Sequence, residues 1–210
     1  MSSLDAAQEL ILKAKKPLFV LGAGAISQAE NIKMLAEMYQ IPVATTYNGR
    51  GIIPEDNPIN LGLVGIRATP RAKYAIDESD CVIALGSIAS ERTFPVLDED
   101  KFIHVNINKD VLKGKYQIQG NVEEVIMTLE FNKVDWIDEL LKIDNSMIIE
   151  GIGDDLKPQA AIKIILKTFE DNIIVADAGS HTTWTTLLYN AKKPNHFLFP
   201  AATAPMGYGL

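Results

Sequence analysis

The stretch from Lys16 to Glu37 places an apolar run, a glycine turn and a helical pattern in direct succession. The run is Leu18 to Leu21, the turn is Gly22-Ala23-Gly24, and Ile32 and Leu35 follow at helical spacing. A parallel strand that is covered on both faces reads as a continuous apolar run. We therefore predict that this stretch forms the first βα unit of an open parallel sheet flanked by helices, in the α/β class.

Further apolar runs predict the remaining elements of this first domain, which we assign to residues 1–150. Strands are expected at 41–46, 81–85, 101–108 and 116–119, and helices at 5–15, 27–39, 70–78 and 121–131. The segment 47–69 carries scattered glycines and prolines with little apolar periodicity, so we expect a long ordered loop there.

The pattern begins again after a glycine-rich stretch at 151–155. A helix is expected at 158–170, a buried strand at 173–177, a second helix that ends near residue 190, and a strand at 197–199. So few strands cannot cover one another, which predicts that residues 151–210 form an incomplete second α/β segment.

Composition excludes some classes of function. The net charge is −7 and no basic cluster is present, which disfavours binding to nucleic acid or to anionic lipid. No apolar run approaches the roughly 20 residues that a membrane span needs. The single cysteine, Cys81, cannot form an internal disulfide, so we expect a reduced, cytoplasmic environment.

The glycine turn resembles a dinucleotide-binding fingerprint, in which glycines allow backbone amides to approach a pyrophosphate. Two features depart from that pattern: Ser27 occupies the position of the third glycine, and the second strand ends in Thr45-Thr46 without an acid for a ribose hydroxyl. A nicotinamide cofactor, another nucleotide and a purely structural turn all remain open from these residues.

Polar residues follow the other predicted strands. Gly86 ends one strand, and Asn106 and Asn108 end the next, so these positions would line one crevice or would serve as ordinary strand-end caps. His104 alternates with apolar neighbours and is interpreted as structural. Histidine and cysteine show no ligand spacing, so no metal site is expected from this sequence.

His181 follows a strand-end aspartate and Gly179 at the beginning of a predicted helix, a placement that suits a phosphate group. A nucleophilic triad is the rival interpretation. It fails because no serine lies in the Gly-x-Ser-x-Gly frame that presents a nucleophile.

Several segments taken together resemble the thiamine-diphosphate-dependent enzyme superfamily, and most closely the catalytic subunit of acetolactate synthase and its relatives. The segments in the order of that family's central domain are Lys16-Pro17 to Gly24, Ile41-Pro42-Val43, Gly49-Arg50-Gly51, Pro54 to Pro58, Leu61-Gly62-Leu63, Ala84-Leu85-Gly86 and His104 to Asn108. Asp177 to Trp184 and Met206 to Gly209 are similar to the beginning of its pyrophosphate-binding domain.

The resemblance implies a chain that holds the central domain and the start of the pyrophosphate-binding domain. The family's catalytic glutamate lies on another domain, and its Gly-Asp-Gly motif for Mg²⁺ lies downstream. We therefore expect no catalytic and no metal-binding residue here, and an inactive fragment of a larger enzyme that functions as a dimer or tetramer. Whether such a fragment is an engineered piece or a natural split gene is left open.

The resemblance also implies site residues. Contacts to thiamine diphosphate are expected from Gly179, Ser180, His181, Ala204 and Met206. A flavin (FAD) or nucleotide crevice would use Gly22, Gly24, Gly86, Arg92, Asn106 and Asn108. Asparagines stand at 106 and 108 where flavin-binding members usually have aspartates, which weakens the flavin interpretation.

The implied chemistry is decarboxylation of a 2-oxo acid, followed by transfer of the remaining carbons to a second carbonyl compound, as in branched-chain amino-acid biosynthesis. A 2-oxo acid decarboxylase, an acyl-CoA lyase, a dione hydrolase and a stand-alone nucleotide-binding module are the alternatives.

Overall fold

The computed structural model describes residues 2–146, 157–200 and 205–209. The strands are β1 (Pro17–Leu21), β2 (Val43–Thr45), β3 (Asn60–Leu63), β4 (Cys81–Leu85), β5 (Phe102–Asn106), β6 (Tyr116–Gln119), β7 (Ile174–Val175) and β8 (Phe197–Leu198). The α-helices are α1 (Ser3–Lys13), α2 (Ala29–Tyr39), α3 (Pro70–Glu78), α4 (Val122–Ile126), α5 (Ile137–Leu141), α6 (Pro158–Thr168) and α7 (Ser180–Leu188).

Six strands form one parallel sheet in the order β3-β2-β1-β4-β5-β6. Strand β1 lies inside the sheet, where Phe19 pairs with Val43 of β2 and with Ile83 of β4. The order reverses direction between β1 and β4, the topological switch point at which open α/β sheets bind ligands. The predicted α/β class and parallel sheet are confirmed.

The apolar run at 18–21 is completely buried, as a strand with helices on both faces requires. Phe19 packs its ring edge-on against Phe131, with 5.5 Å between ring centroids. Residues 136–146 close the same core: Trp136 is buried, and its indole N–H donates to the carbonyl of Pro17 on β1 at 3.1 Å.

The prediction of an uninterrupted loop at 47–69 is wrong, because β3 lies within it as the edge strand beside β2. Asn60 and Gly62 break the apolar run of this strand. Asn60 is nevertheless buried, and its side-chain amide donates to the carbonyl of Ile53 at 2.7 Å while its oxygen accepts from the Gly62 amide at 2.8 Å. Hydrogen bonds to nearby residues thus satisfy the buried Asn60 in a strand with a weak apolar pattern.

Two helix predictions differ from the structure in length. A 3₁₀ helix, Ala23–Gln28, includes the first two residues of the helix predicted at 27–39, so α2 begins at Ala29, and α4 ends at Ile126 instead of 131. Gly24 of this 3₁₀ segment packs against the backbone of Gly86.

The second segment contains α6, β7, α7 and β8, with β7 and β8 parallel to each other. The strand predicted at 173–177 is present as β7, but the prediction that it is buried throughout is wrong: Ala176 is 4% exposed, whereas Ile173 is 57% and Val175 is 44% exposed. Among the described residues, β7 pairs with β8 alone. The predicted boundary near residue 150 lies in 147–156, outside the described residues, and stays a prediction.

His104 on β5 is fully buried and held from both sides. The backbone N–H of Lys113 donates to its Nδ1 at 3.0 Å, so Nε2 carries the proton and donates to the carbonyl of Ser87 at 2.9 Å. Burial lowers the pKa of His104 below its ordinary 6.5, which keeps the ring neutral.

We predict that this neutral histidine makes stability depend on pH. The unfolded chain takes up a proton near pH 6.5 that the folded chain resists, so the free energy of unfolding falls as pH drops below about 6.5. The slope contributed by one proton is at most about 1.4 kcal/mol per pH unit. Urea unfolding between pH 5 and 8 should show a smaller slope in His104→Gln than in wild type. An equal slope in both proteins would contradict this assignment, and His196→Gln serves as control.

Candidate functional site

A crevice opens at the switch point, beyond the carboxyl ends of β1 and β4. Its cavity measures about 100 Å³. The lining residues are Ala23, Thr46, Tyr47, Asn48, Gly86, Ser87, Ile88, Ser90, Arg92 and Thr93. Of the six residues predicted for a nucleotide crevice, Gly86 and Arg92 line this cavity, whereas Gly22, Gly24, Asn106 and Asn108 do not.

Gly22 and Gly24 serve the contact between the two strand ends. The Gly22 amide donates to the carbonyl of Leu85 at 2.9 Å, and the Gly24 amide donates to Gly86 at 3.0 Å. A Cβ atom added to any of these three glycines would overlap backbone atoms of the opposite turn. Because both amides already have backbone acceptors, their hydrogen bonds hold β1 and β4 together instead of facing the crevice.

Asn106 and Asn108 are also engaged within the chain. The side-chain amide of Asn106 donates to the Ser87 carbonyl at 2.7 Å, and its oxygen accepts from the Asn108 amide at 2.9 Å. Asn108 in turn accepts from the amide of Asp110 at 3.0 Å. These are the bonds of strand-end caps, and Asn106 together with His104 orients Ser87 at the crevice wall.

The charge and polarity of the crevice come from a small set of residues. Arg92 is the one charged side chain among the lining residues, and Ile88 is an apolar residue 61% exposed at the mouth. Hydroxyl groups of threonine, serine and tyrosine and the side-chain amide of Asn48 supply the remaining polarity.

A second candidate site lies at the beginning of α7. Gly179 is the N-cap with φ 153°, a conformation that favours glycine, and no side chain of the described residues caps this end. Ser180 and His181 are exposed in the first turn. The N-terminus of a helix carries partial positive charge and free amides, so an anion would be stabilised there.

Asp177, which is not among the predicted site residues, connects the turn that contains Met206 to the start of α7. The carboxylate of Asp177 accepts from the amides of Ala178 at 2.8 Å and of Gly207 at 2.7 Å. These hydrogen bonds lower the pKa of Asp177 below its ordinary 3.8. The predicted contacts Gly179 to His181 and Met206 are thus brought together; Ala204 lies outside the described residues.

Two further properties of the described residues bear on ligands. No cluster of three or more histidine, cysteine, aspartate or glutamate side chains that would hold a metal ion occurs in 2–146, 157–200 and 205–209. In the same ranges no helix has the length and the apolar character that crossing a bilayer requires.

A six-stranded parallel sheet with a glycine contact at its switch point defines a Rossmann-like domain. Residues 4–129 match the family described as "Thiamine pyrophosphate enzyme, central domain", and the chain belongs to that family. The predicted resemblance to this superfamily is confirmed.

The relatives extend the similarity beyond the central domain. The chain is 30% identical to a probable acetolactate synthase large subunit of Methanocaldococcus jannaschii over 97% of its own length. It is 28% identical to acetolactate synthase isozyme 1 large subunit of Escherichia coli over 99%, and 28% identical to the chloroplastic acetolactate synthase 1 of Nicotiana tabacum over 99%. The chain spans 39%, 40% and 34% of these relatives, respectively.

We predict that Asp177 holds the Met206–Gly207 turn against the start of α7. In Asp177→Ala the Gly207 amide loses its acceptor, so its hydrogen exchange at neutral pH should be about tenfold faster. In wild type the protection persists above pH 3.8 and is lost as pH falls through the lowered pKa, because protonation removes the charged acceptor. Asp171→Ala, at an exposed position of the same segment, is the control; equal exchange in both variants would contradict the assignment.

Proposed function

We propose that the full-length protein is a thiamine-diphosphate-dependent enzyme of the acetolactate synthase type. It would decarboxylate a 2-oxo acid such as pyruvate and transfer the remaining carbons to a second carbonyl compound. One observation carries this proposal. The similarity to acetolactate synthases covers 97–99% of this chain in the three relatives above, and so includes the helix start and the methionine turn that Asp177 ties together.

The residues at the start of α7 fit a diphosphate group. The uncapped amides of the first turn would donate to the anion, and Gly179, which has a positive φ, leaves this N-cap without a Cβ atom. The side chains of Ser180 and His181 are exposed beside those amides and would donate to phosphate oxygens. Met206 is 86% exposed, which leaves its apolar side chain available to support the cofactor rings.

Bound thiamine diphosphate supplies carbanion stabilisation, the difficult part of such a reaction. The residues of this chain would bind and orient the cofactor and exclude water from its diphosphate. Mg²⁺ and the catalytic glutamate belong to other parts of the proposed enzyme, and for this reason we expect the chain by itself to be inactive. We further propose that the enzyme functions as a homo-oligomer in the cytoplasm.

We propose no tight flavin or nucleotide site at the switch-point crevice. The amides of Gly22 and Gly24 already donate to the carbonyls of Leu85 and Gly86, and the side-chain amide of Asn106 both donates and accepts a hydrogen bond within the chain. Calorimetric titration of FAD, ADP and NAD⁺ into the protein should detect no binding stronger than about 100 μM. Saturable binding below that value would favour a nucleotide-binding role, and Arg92→Met would then test its site.

The activity is tested with the full-length protein expressed from its complete reading frame. Pyruvate, thiamine diphosphate and Mg²⁺ should yield acetolactate, and omission of either cofactor should abolish the product. Release of CO₂ without acetolactate would indicate a decarboxylase. Absence of both products and of cofactor binding would overturn the proposal.

A single substitution tests the placement of the diphosphate. His181→Ala should weaken the binding of thiamine diphosphate by roughly tenfold to a hundredfold, the effect of one hydrogen bond to a charged group. The control is His196→Ala, whose position precedes β8 in the same segment. If the two variants bind the cofactor equally well, His181 does not contact the diphosphate.

A further inference from the structure

A buried arginine joins the six-stranded domain to helix α7. Arg50 follows β2 and is only 6% exposed. Its guanidinium forms a bidentate ion pair with Glu55, with Nε–Oε1 at 2.6 Å and Nη2–Oε2 at 2.8 Å. This pairing compensates the buried charge of Arg50 and orients the plane of its guanidinium.

The remaining donors of Arg50 reach the carboxyl end of α7. Nη1 donates to the carbonyl of Thr186 at 2.9 Å, and Nη2 donates to the carbonyl of Tyr189 at 2.5 Å. The last carbonyls of a helix lack partners within the helix and carry partial negative charge. A guanidinium is therefore well matched to this end of α7 in both charge and geometry.

We call this arrangement the Arg50 clamp and define it as Arg50, Glu55 and the carbonyls of Thr186 and Tyr189 to which Arg50 donates. Other contacts surround it. Glu55 also accepts from the Ala191 amide at 2.9 Å, and its own amide donates to the Ala191 carbonyl at 3.0 Å. The Arg50 guanidinium lies over the rings of Tyr189 and Phe197, at 5.8 and 5.1 Å from the ring centroids.

The neighbouring glycine shows how closely the two backbones approach. Gly51 has φ 77°, and a Cβ atom added there would overlap the carbonyl of Lys193. The segment that carries the clamp therefore fits against the connection between α7 and β8 without space for a side chain. A close fit of this kind leaves little freedom for α7 to shift.

A second arginine of the same domain holds the opposite half of α7. Nη2 of Arg67 donates to the hydroxyl of Thr183 at 2.8 Å, one turn from the helix start. Helix α7 has nine residues, and so extends about 13 Å between the clamp and the start that carries Gly179 to His181. Contacts at both halves determine where its N-terminus lies.

We propose that Arg50 and Glu55 are positioning residues for the cofactor site, in that they fix α7 so that its N-terminal amides face the diphosphate. This inference rests on the proposed function. Neither residue would touch the cofactor, because Arg50 contacts the opposite end of the helix and Glu55 contacts Arg50 and Ala191 just beyond that end. Displacement of binding groups by about 1 Å can cost a hundredfold in rate, so a remote clamp has a measurable effect on the site.

Arg71 provides a matched control. Its Nε donates to the carbonyl of Ile143 at 2.9 Å and its Nη2 to the carbonyl of Leu141 at 3.0 Å, at the end of α5. The chemistry equals that of Arg50, a guanidinium on the carbonyls at a helix end, but these carbonyls belong to the first domain and not to α7. Loss of this contact should destabilise the fold without a shift of α7.

The test uses the full-length protein with Arg50→Met, Glu55→Gln and Arg71→Met. Thermal unfolding monitors stability, and the Kd for thiamine diphosphate is measured at saturating Mg²⁺ together with kcat at saturating cofactor. Arg50→Met should raise the Kd by about tenfold or more. Glu55→Gln should raise it by a smaller factor, because the side-chain oxygen of the glutamine can still accept from the Ala191 amide. Arg71→Met should lower the melting temperature with an unchanged Kd. An unchanged Kd in folded Arg50→Met would overturn the proposal.

Hydrogen exchange tests the Arg50 clamp independently of the proposed function, because the exchange measurement requires no cofactor. Amides in the second half of α7 should exchange faster in Arg50→Met and at the wild-type rate in Arg71→Met. If wild type binds no thiamine diphosphate, the proposed function fails and the clamp loses its cofactor role, while the exchange data still show whether Arg50 fixes α7. Equal exchange of α7 in all variants would overturn the clamp itself. Arg50→Lys, which keeps the charge without the planar fork, provides a milder variant if Arg50→Met does not fold.

Discussion

The burial of β1 on both faces and along both edges is the constraint on which the rest of the structure depends. Its residues pair with β2 on one side and β4 on the other, and helices cover both faces. Each further strand then adds outward from this centre. The strands that follow β1 in the chain, β2 and β3, lie on one side of it, and β4, β5 and β6 lie on the other side. This reversal of strand order creates a switch point at the carboxyl ends of β1 and β4.

The same constraint explains why the glycine turn is a packing feature. Two strand ends meet at the switch point, and Gly22, Gly24 and Gly86 allow their backbones to touch and to exchange hydrogen bonds. The amides of Gly22 and Gly24 are thereby used. In the proposed function the anion binds instead at the start of α7, a helix with an uncapped start that contacts Arg50 and Arg67 of the six-stranded domain.

Predictions from the sequence succeeded where local pattern and burial agree. The apolar runs at 18–21 and 81–85 predicted β1 and β4, since strands covered on both faces need no alternation. The predictions failed where contacts outside the strand itself decide the outcome. β3 was missed because its polar Asn60 is satisfied by Ile53, and β7 was expected to be buried although Val175 is 44% exposed and, among the described residues, only β8 pairs with this strand.

The sequence by itself determined the α/β class, the family and the helix start with Gly179 and His181. Apolar runs and the order of motifs are properties of the chain that do not depend on how its elements pack. Only the tertiary structure decided which groups meet. In the folded protein the side chain of Asn106 donates to the Ser87 carbonyl, and Asp177 accepts from the Gly207 amide in the turn that contains Met206. Arg50 donates to the carboxyl end of α7. Hydrogen bonds between residues as far apart as 50 and 186 depend on how the helices and strands pack, and no spacing along the chain contains that information.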